Sequence, residues 1–570
     1  MKKKIILVLS AIVVICSTLI AVRNYSRAEG RQEAVERWAE IFQPSVVDKN
    51  ERIAELTWFK NAAEDLQGVT INSSAEVLRV HYWESRVLAR AFEEITGIHV
   101  EHKIIGEPNV VNQIMEQIEA DKVLWDIYVN DSDLIGTHIR TDGVLNLTDY
   151  MNGEGEKYTN PYLDLDDFLN IDFCKDFDGK ILQLPDQQFA NLYWFRYDWF
   201  TRKDIKEQFK KKYGYELGVP ITWAAYEDIA EFFTNTPVDG RKVYGHLDYG
   251  KIDPSLGWRF TDAWLSMAGV GDRGLPNGNP VDEWGIRVEN RIPVGSSVSR
   301  GGDLNGPAAI YALTKYLEWM NKYAPPECKS WDFVLSGTVS SRGDIAQQIF
   351  MYITWLSDPA YHMPGSPVVD KHGKPLWRVA PSPHGKYWEK GMKVGYQDVG
   401  CWTIPKNVTG KKRAAAWLWA QFCDSKTITL KKFLICGTPI RKSAIFSDYI
   451  SERMVDYGGL IEFYRSPEEV NWSPTGLNVP SYAAMSKLWW KNIGKAITGE
   501  YTAVQAMNTL AREQDEHMAS LKLKKYSPKL NEEKNPEYWY NQPGAPKAEI
   551  KGRGKAVTVP YDDLIKEWTR

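Results

Sequence analysis

The chain's 570 residues far exceed one small domain, and with 43% hydrophobic and 25% charged residues it has an ordinary globular balance with material for at least two cores. Its formal net charge of -4 comes from interspersed charges, and no basic run could neutralise a line of phosphates, so nucleic acid is excluded as the expected partner. Outside the N-terminal Cys16, the cysteines Cys174, Cys328, Cys401, Cys423 and Cys436 contain no CxxC pair and no metal-ligand spacing, and buried free cysteines are the expectation.

Lys2, Lys3 and Lys4 precede a weakly polar-to-apolar run from Ile5 to Val22, which marks an export signal or a membrane anchor. Roughly 18 residues is long for a cleaved signal and at the short limit for a span. Ser26-Arg27-Ala28 offers a cleavage site with a mature start near Glu29, while Arg23, Arg27 and Arg31 would equally flank an uncleaved anchor. Lipid attachment at Cys16 is a third reading, weakened by Val13-Val14-Ile15 before it. The expected location is the periplasm or the outer face of the cytoplasmic membrane, tethered or free.

Residues 29–76 read as a helical leader, on stretches such as Arg31 to Phe42. The spacing then predicts a strand over Val77–Tyr82, a helix over Arg86–Thr96, a strand over Ile98–Ile105, a helix over Asn109–Ala120 and a strand over Asp126–Asn130. This alternation means βαβ units and mainly parallel sheets flanked by helices, and in open sheets ligands bind at the carboxyl ends of strands. Trp83 and Glu84, after the first strand, and Asp131, after the third, thereby become candidate ligand-binding residues. Asp133 reads equally as a ligand group or as the N-cap of a helix beginning near Leu134. A second α/β segment begins after Asn191 with the aromatic run Leu192–Phe200 and a helix over Tyr226–Phe233. Gly269–Gly306 has loop composition, helices follow over Ala308–Tyr323, Arg413–Cys423 and Ser481–Ser520, and the polar tail after Pro528 is expected to wrap the surface.

Tryptophan is the compositional outlier at 23 residues, beside 29 Tyr and 19 Phe. Flat aromatic faces accept the C–H faces of sugars and polyols while neighbouring amides and carboxylates bond their hydroxyls. Core packing is the default for any one Trp, but Trp83, Trp258 and Trp402 stand at expected strand ends or beside glycines. Each desolvated hydroxyl left unpaired costs about 1–3 kcal/mol, so such a ligand needs several polar partners. Pro185-Asp186-Gln187-Gln188 and the loop Arg300 to Asn305 supply them, with Gln187 and Asp303 as candidates and a solvated turn as the alternative for each. HExxH, GxSxG, a Walker loop and a strand-following GxGxxG are all lacking. Paired carboxylates such as Asp131 and Asp186 keep a secreted carbohydrate-active enzyme as the alternative reading. No catalytic residue, metal ligand or cofactor is expected.

The chain resembles family 1 extracellular solute-binding proteins of ABC uptake transporters from Val77 to about Ser520. The resemblance rests on Trp125-Asp-Ile-Tyr-Val-Asn-Asp, Gly143 to Thr148, Gly343 to Met351, Ala414 to Phe422, Gly437 to Arg441 and Leu488 to Gly494, in that order. Leu184 to Phe200, Asp253 to Met267 and Val281 to Arg287 look like the glycerol-binding branch. The resemblance implies a two-lobed, type II periplasmic-binding-protein-like α/β fold with a hinged cleft. It places the first lobe at 77–191 plus 379–432 and the second at 192–378 plus 433–525, which leaves 526–570 as the wrapping tail read from composition. It implies a non-enzymatic, monomeric binder that hands glycerol, or another small polyol or sugar, to permease subunits. It also adds site residues: the family's acidic group falls on Asp131, its carboxy-terminal aromatic on Trp489 or Trp490, and Trp402 and Arg441 lie in segments that approach the cleft.

Overall fold

The computed structural model describes residues 30–258, 263–272, 280–350, 361, 363–436, 438–467, 472–473, 476–544 and 546–569. Helix α1 (30–41) and helix α2 (Lys49–Ala62) open the chain. Asp48 caps α2 by accepting from the Glu51 N–H, and the Glu51 side chain returns the bond, a capping box that fixes where the helix begins. Val35, Trp38, Phe42, Leu56 and Phe59 then face inward, so the leader supplies part of a hydrophobic core instead of standing before it.

Strand β1 (Thr70–Ala75) lies at the centre of that core's sheet, parallel to β2 (His99–Ile104) and β3 (Ile127–Asp131). The strand expected at Val77–Tyr82 is instead helical, an α-turn over Arg79–Trp83 running through a π-type turn at Glu84–Leu88 into a helix at Ala89–Thr96. The reason is visible in the burial: Val80, Glu84, Leu88 and Phe92 recur every four residues and all are buried, which is a helix face with a charge set into it. Trp83 and Glu84 therefore do not stand at a strand end. After β3, helix α3 (Ile135–Thr141) starts without a side-chain cap, so Asp133 has no capping role.

Strands β4 (Leu184–Ala190) and β5 (Leu192–Arg196) are separated by Asn191 alone, yet β4 belongs to the first sheet and β5 is the middle of a second. In that second sheet β6 (Gln347–Phe350) and β7 (Trp377–Ala380) flank β5, both antiparallel. The chain returns as β8 (Gly395–Thr403), which runs antiparallel to β3 and β4, and the short β9 (Trp472–Ser473) adds parallel to the start of β8. The first sheet thus reads β9-β8-β3-β1-β2, with β4 also on β8. Mainly parallel sheets were expected; among the described strands parallel ladders are those of β1 with β2 and β3 and of β8 with β9, and β8 re-enters from the other lobe antiparallel to β3 and β4.

The two sheets centre two separate cores. The first gathers residues between Ala34 and Leu184 with Trp402 to Ile440, including helix α4 (Gly410–Cys423) and the start of helix α5 (Lys426–Cys436). In the second, Trp223, Trp264 and Trp319 meet with ring centroids 5.2 to 5.4 Å apart, enclosed by the helices Trp223–Asn235, Pro307–Lys322, α6 (Tyr482–Ile497) and Ala503–Ser520. The tail does more than wrap: Thr558–Val559 pairs with Val219–Pro220, and the helix Tyr561–Trp568 sets Leu564 and Trp568 into the second core. Among the described residues no helix is long and apolar enough to cross a membrane, and the run Ile5–Val22 lies outside them.

Candidate functional site

Three segments meet where the chain changes lobes. The Asn191 N–H donates to the Tyr396 carbonyl (2.8 Å), and the Asn191 carbonyl accepts from Trp472 Nε1 (3.0 Å) and Ser382 Oγ (2.6 Å). Gly395 stands at this junction because a Cβ there would lie 2.6 Å from Trp472 Nε1. The strand ends of the first lobe open beside it. Glu76 follows β1, Asn130 and Asp131 close β3, and with Val110, Val111, Val129, Asp133, Leu134 and Tyr482 of the second lobe they enclose a cavity of about 30 Å³. Residues of both lobes line this small space, so the lobes stand close together here.

Asp133 ties the two sides. Its Oδ2 accepts from the hydroxyls of Tyr396 (2.7 Å) and Tyr482 (3.0 Å), and the Tyr482 N–H donates to Thr137 Oγ1 (3.0 Å). Behind Tyr482 stand Trp284, at 5.3 Å between ring centroids, and Trp489, 5.7 Å beyond Trp284. Beside Asp131, Asp398 accepts from the Ser132 N–H (3.0 Å) and hydroxyl; burial pushes its carboxyl up, while the bonds from Ser132 and Asp131 pull it back. Burial, reinforced by Glu283, also holds Asp282 well above the carboxylate range. Among the described lining residues three valines and a leucine supply apolar surface, and the polar groups are carboxylates, an amide and a tyrosine, with no cationic side chain. Such a surface can bond hydroxyl groups and offers nothing to an anionic ligand.

Of the residues singled out in the sequence, Asp131 and Asp133 line this cavity, and Trp489, fully buried, backs it through Trp284. The others are placed elsewhere. Trp83 packs against the first core. Trp402 is buried between His102 and Trp419, at 5.7 and 5.9 Å. Arg441 is buried over Phe168, donating to the Asp424 carbonyl (2.8 Å) and pairing with Asp167 (3.2 Å). Asp303 is buried in the second lobe by the Gly271 N–H (3.4 Å). The side chain of Trp258 lies outside the described residues. Sequence reading passed over Glu76, Tyr396, Trp284 and Tyr482. Trp284 lies inside the Val281–Arg287 motif, and Tyr482 opens an expected helix, but neither carries a local signal for a cleft.

Glu84 and Gln187 belong to a buried charge cluster in the first lobe. Lys432 of α5 lies 2.8 Å from Glu84 Oε1 and 3.0 Å from Asp424, and also contacts Asp186. Glu84 Oε2 meets His81 Nδ1 (3.0 Å), and His81 Nε2 faces Gln187 Nε2 (2.9 Å). Burial would raise Glu84, but the Lys432 ammonium and the two histidines hold it well below the carboxylate range; burial and the Glu84 charge push Asp186 up to about 6. His81, Glu84 and His102 present donor atoms within 4.8 Å of one another, a spacing a metal could use. The ammonium of Lys432 already supplies the positive charge at Glu84, and the group reads as a self-neutralising brace.

No family model and no curated protein matches the sequence. Solved structures do match. An ABC transporter solute-binding protein from Agrobacterium radiobacter K84 in complex with ribitol superposes with a TM-score of 0.61 at 17% identity, over 79% of this chain and 99% of that one. Maltose-bound T. maritima MalE3 gives 0.58 at 18%, over 79% and 100%, and a solute-binding protein from Agrobacterium vitis S4 with bound D-mannitol gives 0.58 at 15%, over 80% and 100%. The chain has the two-lobed periplasmic-binding-protein-like α/β fold.

Proposed function

We propose that the chain is the substrate-binding component of an ABC importer, capturing a small polyol or sugar between its lobes and delivering it to a membrane permease. The observation that carries this reading is the cavity at the carboxyl ends of β1 and β3, where Glu76, Asn130, Asp131 and Asp133 face Tyr482 across the lobes. It is the place where open sheets take ligands, and its groups suit neutral hydroxyls. Fold neighbours carrying ribitol and D-mannitol support the ligand class. Within that class glycerol is preferred on the sequence resemblance alone. A monomer that docks closed onto permease subunits, tethered or released at its N-terminus, completes the reading. The hydrolase alternative loses its pair, since Asp186 is engaged by Lys432 away from the cavity.

Calorimetric titration with glycerol, ribitol, D-mannitol and maltose tests the proposal. Saturable heat with glycerol is expected, and Asp131→Ala should weaken binding at least about tenfold, or about 1.4 kcal/mol. Tight maltose binding without glycerol binding would overturn the ligand, and no heat with any of the four would overturn the class.

A further inference from the structure

Cys174 and Cys401 are far apart in sequence, 227 residues, but their sulfurs lie 3.3 Å from each other. Cys174 ends the 3-10 turn Ile171–Cys174, and its carbonyl accepts the Leu182 N–H at 2.9 Å. Cys401 follows the irregularity between Gly400 and Cys401 in β8, in register with Asn130 of β3. Both side chains are fully buried and share a small apolar cluster with Val399. The other described thiols have no such neighbour in the same cluster: Cys328 belongs to the second core and Cys423 to the first. Two sulfurs held in contact by rigid elements need a side-chain shift of only about 1 Å to reach bonding distance near 2 Å.

We propose that Cys174 and Cys401 form a structural disulfide that clamps β8 to the 171–174 turn beside the strand end bearing Asn130 and Asp131. The inference rests on the export that the proposed function requires, because disulfides persist in oxidising compartments. The oxidant is a disulfide, either a small molecule such as oxidised glutathione or an oxidoreductase. One cysteine thiolate attacks an oxidant sulfur, forming a mixed disulfide and expelling one oxidant thiolate. The second cysteine thiolate then attacks its partner's sulfur and expels the other. Both chain thiols lose their protons and are oxidised together by two electrons, and the oxidant is reduced to two thiols. Burial and the adjacent Cys174 sulfur keep the Cys401 thiol protonated in the folded lobe, so exchange belongs to folding, before the lobe closes over the pair. Once formed, the bond is out of a reductant's reach and restrains a very long loop in the unfolded chain.

The test starts from full-length chain, reduced and denatured, then refolded either in a glutathione redox buffer or in excess reductant. Free thiols are alkylated in denaturant, and the digest is read by mass spectrometry. After redox refolding, the Cys174 and Cys401 peptides should be joined and two hydrogens lighter than their sum; both cysteines fully alkylated would overturn the proposal. The redox-refolded chain should melt several degrees above the chain refolded in reductant, and Cys174→Ser should abolish that difference. A difference that survives in Cys174→Ser would overturn the assignment to this pair. Chain recovered from the exporting cell reads the compartment separately: a link formed on refolding but absent in the cell supports the pair and counts against export. Glycerol titration of the refolded chain judges the solute-binding reading independently of either result.

Discussion

Lys432 is a residue whose worth can be read from what its loss would leave behind. It is 3% exposed and faces Glu84, Asp186 and Asp424, all fully buried. Lys432→Met would leave the buried carboxyl groups of Glu84, Asp186 and Asp424 without that ammonium, and breaking a buried pair from one side costs about 3–5 kcal/mol. Urea unfolding should show that loss, and a variant as stable as wild type would mean the carboxylates are neutral without it. Asp303 makes the complementary argument. Burial pushes its carboxyl up to about 7, against the pull of Lys547 and the Gly271 N–H, while an unfolded Asp titrates near 4. The folded state therefore prefers the proton, its stabilising effect is complete below about pH 4, and it is lost as pH rises through 7. Between those values stability should fall by up to about 1.4 kcal/mol per pH unit from this group. Asp303→Asn should flatten that fall and melt above wild type at pH 8; identical pH profiles would remove Asp303 as its source. Asp131, Glu84 and Asp303 all read as polar ligand groups in sequence. Composition and spacing cannot say whether a carboxylate meets a ligand, a lysine or its own proton, because that depends on elements hundreds of residues away.

At the scale of elements, legibility followed the hydrophobic period. The helix Pro307–Lys322 and the strand β2 have periodic faces, α4 and β3 are continuous buried runs, and all four fell within a few residues of expectation, whereas the helical stretch expected over Ser481–Ser520 is two helices, α6 and Ala503–Ser520. Strand β1 did not, because Thr70-Ile-Asn-Ser-Ser-Ala75 looks like a loop. Ser73 and Ser74 are fully buried there, and Ser73 Oγ contacts His102 Nδ1 at 2.8 Å, so the inner half of the strand is enclosed although it is made of small polar residues. The next apolar stretch, Val77–Tyr82, therefore carries the strand expectation although Arg79–Trp83 is helical. The crossing element β8 is the more consequential case. Its two-lobed role depends on Gly395, where any Cβ meets the Trp472 indole that donates to the Asn191 carbonyl. Gly395→Ala should push Trp472 off Asn191 and free the junction. Hydrogen exchange is expected to rise at Asn191 and Tyr396 while the β1–β3 amides stay protected. Unchanged exchange at Asn191 would show that the junction does not depend on that contact.

On the scale of the whole molecule, the lobes are joined on the flank beside the cavity by a reciprocal pair of arginines. Arg140 of α3, fully buried, donates to the carbonyls of Gly136 (3.0 Å), Leu477 (2.7 Å) and Arg291 (3.1 Å). In the opposite direction Arg291 reaches Asp178 (2.9 Å) and the Phe177 carbonyl (3.2 Å). Gly136 and Gly476 allow the approach, for a Cβ on Gly136 would stand 2.3 Å from the Gly476 carbonyl and one on Gly476 would stand 1.9 Å from the Asp133 carbonyl. The bonds from Arg140 to Leu477 and Arg291, and from Arg291 to Asp178 and Phe177, join the two lobes, so in the proposed hinged binder their free energy belongs to the closed form. A ligand can shift the open–closed equilibrium only by its own preference for the closed state, and its apparent affinity scales with the fraction of chains competent to close. Arg140→Met leaves buried carbonyls without a donor in the closed form and lets them reach water in the open one. It should therefore weaken glycerol binding about tenfold, close to 1.4 kcal/mol, without touching a ligand-lining residue. Gly136→Val should act in the same direction by wedging the flank. Small-angle scattering separates this route from loss of contact: Arg140→Met and Gly136→Val should enlarge the ligand-free chain's radius of gyration, whereas Asp131→Ala should leave it unchanged. Wild-type affinity and radius in Arg140→Met would place the closing free energy in the cavity groups themselves.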